Sequence, residues 1–307
     1  MADPPLRDAP AWVGAAASII RRLPRGRYRA TNWVGRRRTA PFWARLPGDL
    51  GGGWFRCDLR DRIMRDVCFT GRYEPQETAL LTMLLAPGMT LVDVGANWGY
   101  FSLVGAALVG ATGRVVAVEA DPRACRTLRA NVARNAFQRV TVLEMAAGDR
   151  AGTVQLQEYD RIASESGGYG VTSTTTVVEG GRRFDVAERT LDEALDEIGI
   201  DRIDLLKMDI EGAEARALAG LGRRLAGRRI ARILLEVHPD HLRDQGSSAD
   251  VVVRELGGHG YDIWTVDQSP GAARRIGAGR MDVKTALAPL ADAGHLGPWP
   301  HLLCTLT

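Results

Sequence analysis

The sequence has few lysines and no paired cysteines. Of its 40 basic residues only Lys207 and Lys284 are lysine, and the net charge is +3. A charge this small does not by itself indicate a nucleic-acid partner. The four cysteines are scattered without a C-x-x-C pair, which argues against a zinc site and against a disulfide framework. We therefore expect reduced thiols and a cytoplasmic protein.

Long hydrophobic runs are also missing. The apolar run Ala11–Ile20 is too short to cross a bilayer, which takes about 20 residues. It follows an acidic, proline-containing start and lacks a small-residue cleavage site, so it does not resemble a signal peptide. The sequence predicts no membrane span, and it leaves open whether the chain forms a homo-oligomer.

Two zones differ in composition. Residues 1–53 carry eight arginines between Arg21 and Arg38, with a short helix predicted over Trp12–Leu23. We interpret this zone as an arginine-rich extension that serves as a lid, an arm or a partly mobile surface segment. Residues 54–307 have the pattern of one catalytic domain. A stretch near 158–185, rich in serine, glycine and threonine, predicts a substrate loop.

Within the second zone, predicted strands and helices alternate. This pattern indicates an α/β fold with a mostly parallel sheet and helices on both faces. The predicted strands are Trp54–Leu59, Thr90–Val94, Arg114–Glu119, Val140–Leu143, Thr153–Leu156, Ile203–Met208, Ile230–Val237, Tyr261–Val266 and His301–Leu306. The predicted helices include one that begins at Pro75, followed by Gly99–Val109, Pro122–Arg134, Leu191–Ile198, Glu211–Leu225 and Ala249–Gly257.

A glycine turn directly follows the first strand of the alternating region. Its pattern is Asp93-x-Gly95-x-Asn97-x-Gly99, not Gly-x-Gly-x-x-Gly. Gly95 permits a close backbone approach, and Gly99 lets the next helix begin tight against the strand. In a parallel sheet, ligands lie beyond the carboxyl ends of the strands, so the turn predicts a nucleoside-containing cofactor.

The ends of the next two strands add acidic residues to this edge. Glu119 ends the second strand about 20–25 residues after the turn, a position suited to binding two ribose hydroxyls. Asp121 is predicted to cap the following helix. Glu144 and Ala146, at the end of the third strand, are placed beside the adenine.

A second cluster follows two later strands. Asp209 and Glu211 come directly after one strand, and Glu236 and His238 end the next. The carboxyl ends of neighbouring parallel strands meet at one edge, so we expect these side chains to lie beside the cofactor. We interpret Glu214, three residues beyond Glu211, as charge compensation at a helix N-terminus.

At this point the sequence resembles the FkbM family of S-adenosylmethionine-dependent methyltransferases over residues 54–266. The matching pieces occur in family order: Gly71–Pro75, Asp93–Gly99, Val118–Pro122, Leu206–Glu214 and Glu236–His238. The resemblance implies a class I methyltransferase fold, Rossmann-like, with a seven-stranded sheet and His301–Leu306 as its one antiparallel strand. It also implies cofactor binding by Asp93, Gly95, Asn97, Gly99 and Glu119, with Tyr73 and Glu74 closing over the methionine end.

The implied activity is O-methylation of a small molecule, such as a sugar or a natural product. Two routes for removing the hydroxyl proton stay open. In the first, His238 is the general base, a carboxylate such as Glu236 orients it or holds its charge, and Asp209 is a further catalytic candidate. In the second, Asp209, Glu211 and Glu236 hold a divalent ion that lowers the pKa of the acceptor hydroxyl, and oxygen-only ligands suit Mg²⁺.

Two other functions share parts of this pattern. A nicotinamide-dependent oxidoreductase would want Gly-x-Gly-x-x-Gly after the first strand, where this chain has another spacing. An RNA base methyltransferase would want an Asn/Asp-Pro-Pro-aromatic turn, where this chain has Met208-Asp209-Ile210-Glu211. Carboxylates there would repel phosphates, so we expect a small-molecule acceptor and no nucleic acid.

Overall fold

The fold is described from a computed structural model. It covers residues 6–23, 26–35, 39–158, 171–172, 183–290, 296–297 and 299–306. Of the predicted substrate loop near 158–185, residues 159–170 and 173–182 lie outside the described residues.

The described residues form strands and helices in alternation from residue 90 onward. The strands are β1 Phe42–Arg45, β2 Trp54–Cys57, β3 Thr90–Val94, β4 Arg114–Glu119, β5 Val140–Glu144, β6 Ala146–Ala147, β7 Gly152–Glu158, β8 Val171–Thr172, β9 Arg183–Arg189, β10 Leu205–Met208, β11 Arg232–Glu236, β12 Tyr261–Val266, β13 Leu287–Pro289 and β14 His301–Leu306. The helices are α1 Ala11–Arg22, α2 Arg27–Val34, α3 Arg62–Thr70, α4 Pro75–Leu84, α5 Tyr100–Val109, α6 Pro122–Arg134, α7 Leu191–Glu197, α8 Glu214–Ala219, α9 Gly222–Ala226, α10 Pro239–Asp244, α11 Ala249–Gly258 and α12 Pro270–Gly277.

One large sheet has the order β13-β12-β14-β11-β10-β3-β4-β5. Strands β11, β10, β3, β4 and β5 run parallel, whereas β14 lies antiparallel between β11 and β12. This is the class I methyltransferase arrangement, and the prediction of His301–Leu306 as the antiparallel strand is confirmed. The strand order turns at β3 and β10, so the first cofactor turn lies where ligands bind in open α/β sheets.

The sheet has one strand more than predicted. Three residues, Leu287–Pro289, pair antiparallel with β12 at the sheet edge. So short a segment carries no readable alternation, and proline cannot donate to a ladder hydrogen bond, which confines it to an edge. A separate small sheet of order β6-β9-β7-β8 lies beside the end of β5.

Both faces of the large sheet are covered. Successive strand residues point to opposite faces, so Leu91 and Leu205 join one buried cluster while Val92 and Leu206 join another. The first cluster includes residues of α4 and α5, and the second includes residues of α7, α9 and α11. A strand that is buried on both faces reads as a continuous apolar run, which is why these strands could be predicted.

One helix prediction is wrong. A single helix was expected over Glu211–Leu225, but α8 begins only at Glu214 and a second helix, α9, follows after a break. Glu211 has a φ of 54° and Gly212 a φ of 103°, both in the left-handed region, where a right-handed helix cannot start. Glu211 therefore lies in the loop after β10.

The arginine-rich segment packs on the domain where it is described. Helix α1, predicted over Trp12–Leu23, is confirmed, and it buries Val13, Ala17 and Ile20. The Arg21 guanidinium donates to the main-chain oxygens of Cys68 and Phe69 at the end of α3. No helix among the described residues is long and apolar enough to cross a membrane. The boundary at residue 53 stays a prediction.

Asn131 of α6 and Asn135, directly after this helix, attach strand β2 to the domain. The Asn135 side chain accepts from the main-chain nitrogen of Trp54 at 2.6 Å and donates to its oxygen at 2.7 Å. Asn131 is fully buried; it accepts from the main-chain nitrogen of Arg56 and donates to the oxygen of Trp98, at 2.8 and 2.7 Å. Since Trp98 belongs to the glycine turn, Asn131 connects that turn to β2.

We expect Asn131→Ala to lower the free energy of unfolding by about 2 kcal/mol or more. The substitution removes the partners of the Trp98 oxygen, in a buried contact, and of the Arg56 nitrogen, in a part-buried one, and an unsatisfied buried group costs about 1–3 kcal/mol. Urea denaturation measures the change. Gln138→Ala, which truncates an exposed amide just past α6, is the matched control and should change stability by about 0.5 kcal/mol at most. Equal stability of the two variants would contradict the connecting role.

Candidate functional site

The carboxyl ends of four adjacent strands, β4, β3, β10 and β11, form one edge of the sheet. Each strand is followed by a turn that carries predicted site residues. A cleft lies among three of these turns and the small sheet. The predicted residues that line it are Gly95, Asn97, Glu119, Ala146, Asp209 and Glu211.

The glycine turn has the conformation that its sequence predicts. Gly95 and Gly99 have φ values of 83° and 87°, and Asn97 is also left-handed at 50°. A β-carbon on Gly95 would lie 1.8 Å from the main-chain oxygen of Asp209, so only glycine fits against the turn after β10. Gly99 lies outside the cleft; its β-carbon position is occupied by Leu128, which makes it a packing residue between α5 and α6.

Glu119 is held by the backbone on two sides. Its Oε2 accepts from the main-chain nitrogen of Asn97 and its Oε1 from that of Asp121, both at 2.7 Å. Burial raises the pKa of the Glu119 carboxyl to about 7, against the opposing effect of these main-chain donors. Asp121 accepts from the main-chain nitrogen of Arg123 at 2.8 Å, so its predicted role as the cap of α6 is confirmed.

The two predicted residues at the end of β5 lie in different surroundings. Ala146 lines the cleft. Glu144 instead pairs with Arg129 of α6 at 2.5 Å, and its side chain is 38% exposed. This placement gives no support to a cofactor role for Glu144. The sequence could not predict which way the Glu144 side chain points, because the direction of a side chain at the end of a strand depends on the residue at which the strand ends.

Asp93 lies beneath the cleft, not in its wall. The side chain is buried; its Oδ2 accepts from the Ser102 hydroxyl at 2.6 Å, and its Oδ1 has no hydrogen-bond partner. Burial raises the pKa of the Asp93 carboxyl, while the positive charge of Lys207 lowers it.

Tyr73 and Glu74 also lie outside the cleft. The Tyr73 ring packs edge-on against Tyr100 and at a tilt against Phe101, with centroids 6.1 Å away in both pairs. Glu74 precedes α4 with a φ of 41° and holds a buried carboxyl. Burial and then the charge of Glu77 raise the pKa of Glu74 to about 7.

His238 is the centre of the second cluster. Its Nδ1 lies 2.8 Å from Oε1 of Glu214, and its side chain is only 5% exposed. Its Nε2 faces three carboxylates: Oε1 of Glu236 and Oε2 of Glu211 at 3.6 Å, and Oδ1 of Asp209 at 3.8 Å. Burial lowers the pKa of His238, but the Glu214 hydrogen bond and the nearby carboxylates outweigh it and raise the pKa to about 9.

The predicted residues Asp209, Glu236 and His238 are thus brought together. One potential ligand atom from each lies within 4.8 Å of the other two, a group that could hold a metal ion. Glu211, which the sequence placed in a metal site, is not part of this group; its carboxylate also lies 3.4 Å from Nδ1 of His241.

The sequence analysis did not predict three groups around this cluster, namely Lys207, His301 and Glu77. Lys207 points into it from β10, with Nζ 3.9 Å from Asp209 and 4.5 Å from the Phe101 ring centroid. Its signal was available, since a lysine inside an apolar strand is unusual in a chain with only two lysines. The His301 ring joins Glu77 at 2.7 Å, a contact between distant segments that no local pattern could reveal.

Glu214 does more than compensate charge at a helix N-terminus, the role that the sequence predicts for it. It is the first residue of α8, and its Oε1 accepts from the main-chain nitrogen of Gly212 at 2.9 Å. The same carboxylate holds Nδ1 of His238, and Glu214 is fully buried. A sequence reading cannot distinguish an exposed helix-start acid from one buried against a histidine.

Comparisons with known proteins agree with the fold. The family model described as the methyltransferase FkbM domain matches residues 93–263. The 31-O-demethyl-FK506 methyltransferase FkbM of Streptomyces tacrolimicus is 30% identical over 211 residues, which cover 61% of this chain and 77% of that protein. The AMB antimetabolite synthetase AmbE of Pseudomonas aeruginosa is 31% identical over 211 residues, 59% of this chain but only 10% of AmbE.

A solved structure of the methyltransferase FkbM from Methylobacillus flagellatus aligns with 94% of this chain and 60% of its own, at 19% identity and a TM-score of 0.41.

We expect Gly95→Ala to lower the free energy of unfolding by at least about 2 kcal/mol. The added methyl group would meet the Asp209 oxygen and would hold an L side chain in left-handed backbone. Thermal denaturation measures the loss. Gly257→Ala is the control, because that glycine lies in α11 with no atom within 4 Å of its β-carbon position. A Gly95→Ala protein as stable as the control would refute the close approach.

Proposed function

The chain belongs to the FkbM family of S-adenosylmethionine-dependent methyltransferases, and from this we propose that it transfers a methyl group to a hydroxyl of a small molecule, such as a sugar or a natural product. The observation that carries the proposal is the position of Asp209. This residue lines the cleft beside the glycine turn and also lies 3.8 Å from His238 in the buried cluster. A methyl donor in the cleft would therefore lie next to groups that can take a proton.

The cofactor is assigned to the cleft. The proposal places the ribose at Glu119, since each of its carboxylate oxygens accepts one main-chain hydrogen bond and keeps a lone pair for a hydroxyl. Gly95, Asn97 and Ala146 line the same cleft. Asp93 and Gly99 would act indirectly, the first as a buried charge beneath the turn and the second by packing α5.

The acceptor atom is proposed to be oxygen. The name of the Streptomyces tacrolimicus relative specifies methylation at an oxygen, and its aligned region covers most of that protein. Family membership also sets aside the oxidoreductase alternative. An RNA acceptor would bring phosphates close to the carboxylates of Asp209 and Glu211 at the cleft, and like charges disfavour this approach.

Methyl transfer is an in-line displacement at the sulfonium of the cofactor. The cofactor is already activated, so the protein must hold the acceptor in line and receive its proton. Asp209, Glu236 and His238 are the groups proposed for this step. Because the pKa of His238 is about 9, its imidazole is largely protonated at neutral pH, and in the free protein it is a weak base there.

We expect His238→Ala and Asp209→Asn to reduce methyl transfer by about 10²–10⁴-fold, the usual loss when acid–base groups are removed. Transfer is measured by mass spectrometry on a panel of glycosides and polyketide alcohols. The affinity for S-adenosylhomocysteine, measured by calorimetry, should change little in His238→Ala, because His238 does not line the cleft.

The matched control is His259→Ala. His259 also faces a glutamate, Glu255, at 3.3 Å, but on the surface of α11. Its removal should leave transfer unchanged. If His238→Ala and Asp209→Asn both keep full activity, the assignment of the cluster is wrong.

Cofactor affinity should depend on pH through Glu119. Below a pKa of about 7 the carboxyl is protonated and loses acceptor capacity for the ribose hydroxyls. We expect the Kd of S-adenosylhomocysteine to rise about tenfold from pH 8 to pH 6, since about a tenth of the carboxyl is ionised one unit below its pKa. Glu119→Gln should bind more weakly at pH 8 and lose most of this dependence. The same pH profile in both proteins would exclude Glu119 as its source.

A further inference from the structure

We propose that Asp209, Glu236 and His238 bind a divalent transition-metal ion, with His238 Nε2 and one oxygen from each carboxylate as ligands. The assigned role of the ion, binding the acceptor oxygen beside the methyl donor, rests on the proposed function. The binding itself rests only on the geometry of the cluster.

The spacing of the three side chains fits a shared ion. His238 Nε2 lies 3.6 Å from Oε1 of Glu236 and 3.8 Å from Oδ1 of Asp209, and the whole group lies within 4.8 Å. Ligand atoms about 2.0–2.2 Å from one ion lie about 3–4 Å from each other. The separations are too long for direct hydrogen bonds and suited to an ion between the atoms.

The histidine gives an independent indication of a ligand. His238 is 5% exposed, and its Nε2 faces oxygens of Glu236, Glu211 and Asp209 at 3.6–3.8 Å, beyond hydrogen-bond distance. Its Nδ1 is held by Glu214 at 2.8 Å, and Gly212 holds Glu214 in turn. A carboxylate on the far nitrogen of a ligating histidine is the usual way to fix its tautomer and to raise its basicity.

The charge around the cluster also favours a cation. Glu74, Glu77 and Asp93 lie nearby, and each has a buried oxygen without a hydrogen-bond partner. The basic groups that face these carboxylates include Lys207, with Nζ 3.9 Å from Asp209, and His301, which lies 3.5 Å from Oε1 of Glu236 and 2.7 Å from Glu77. Buried carboxylates are costly unless they are paired, so a dication would offset much of the remaining repulsion.

The donor set indicates the class of metal. The sequence suggested Mg²⁺ on the oxygen-only set Asp209, Glu211 and Glu236, but the structure groups an imidazole nitrogen with two carboxylates. Imidazole ligands suit transition metals, and carboxylates suit Mn²⁺ as well as Mg²⁺. We therefore expect an ion such as Mn²⁺ to bind more tightly than Mg²⁺. Bound there, the ion would lower the pKa of an alcohol that coordinates it.

The test is a titration of the metal-free full chain with MnCl₂, without methyl donor or acceptor. Electron paramagnetic resonance reports free Mn²⁺, and electron spin-echo modulation detects an imidazole nitrogen on bound Mn²⁺. We expect one Mn²⁺ per chain with nitrogen modulation, and weak competition by MgCl₂. His238→Gln and Asp209→Asn should each weaken binding by at least about 100-fold. Glu214→Gln should weaken it by about 10–100-fold.

Glu255→Gln is the matched control for Glu214→Gln, because it changes a glutamate beside a histidine on the surface of α11. It should leave Mn²⁺ binding unchanged. If wild-type protein binds no Mn²⁺, or binds it without nitrogen modulation, the metal site is refuted; neither result depends on a variant that folds. Methyl transfer that persists in EDTA, with no Mn²⁺ bound, would exclude a role for the ion in catalysis and would leave the proposed function intact. Mn²⁺ binding by a protein that methylates no hydroxyl acceptor would support the metal site and contradict the proposed function.

Discussion

The arrangement of the site depends on a backbone contact between two turns. At Gly95 the turn after β3 comes so close to the Asp209 oxygen that no β-carbon fits. The two strands are neighbours in register, with Asp93 beside Lys207 and Val94 beside Met208. Their turns are therefore held at a fixed separation, and the cleft and the acidic cluster share Asp209. In the proposed function, the methyl donor and the acceptor meet across this contact.

The cost of such an arrangement is a concentration of buried charge. Asp93, Glu214 and Lys207 are buried, and His238 is held by Glu214 on one nitrogen while three carboxylates face the other. Groups of this kind are unfavourable in a core unless they bind one another or a ligand. They lie at or beyond the carboxyl ends of β3, β10 and β11, where buried titratable groups set this edge apart from the apolar sheet below it.

The fold could be predicted where local chemistry decides it. Strands β3, β4, β12 and β14 have the predicted bounds, because buried strands are apolar runs that end at glycine, acidic or polar turns. The prediction failed at Glu211, where a left-handed backbone delays the helix to Glu214. It also missed β13, whose three residues gain their extended form only by pairing with β12. Side-chain direction could not be predicted from the sequence, and in the structure Glu144 pairs with Arg129.

The sequence by itself determined the strand–helix alternation of the large sheet, the glycine turn, the acid at the end of β4 and the family. Each of these features depends on a few consecutive residues, because their backbone preferences are local. Only the tertiary structure decided which side chains face one another. It joined Glu214 to His238 and His301 to Glu77. These pairs come from separate elements and depend on strand register and helix position, and these in turn are set by packing of the whole chain.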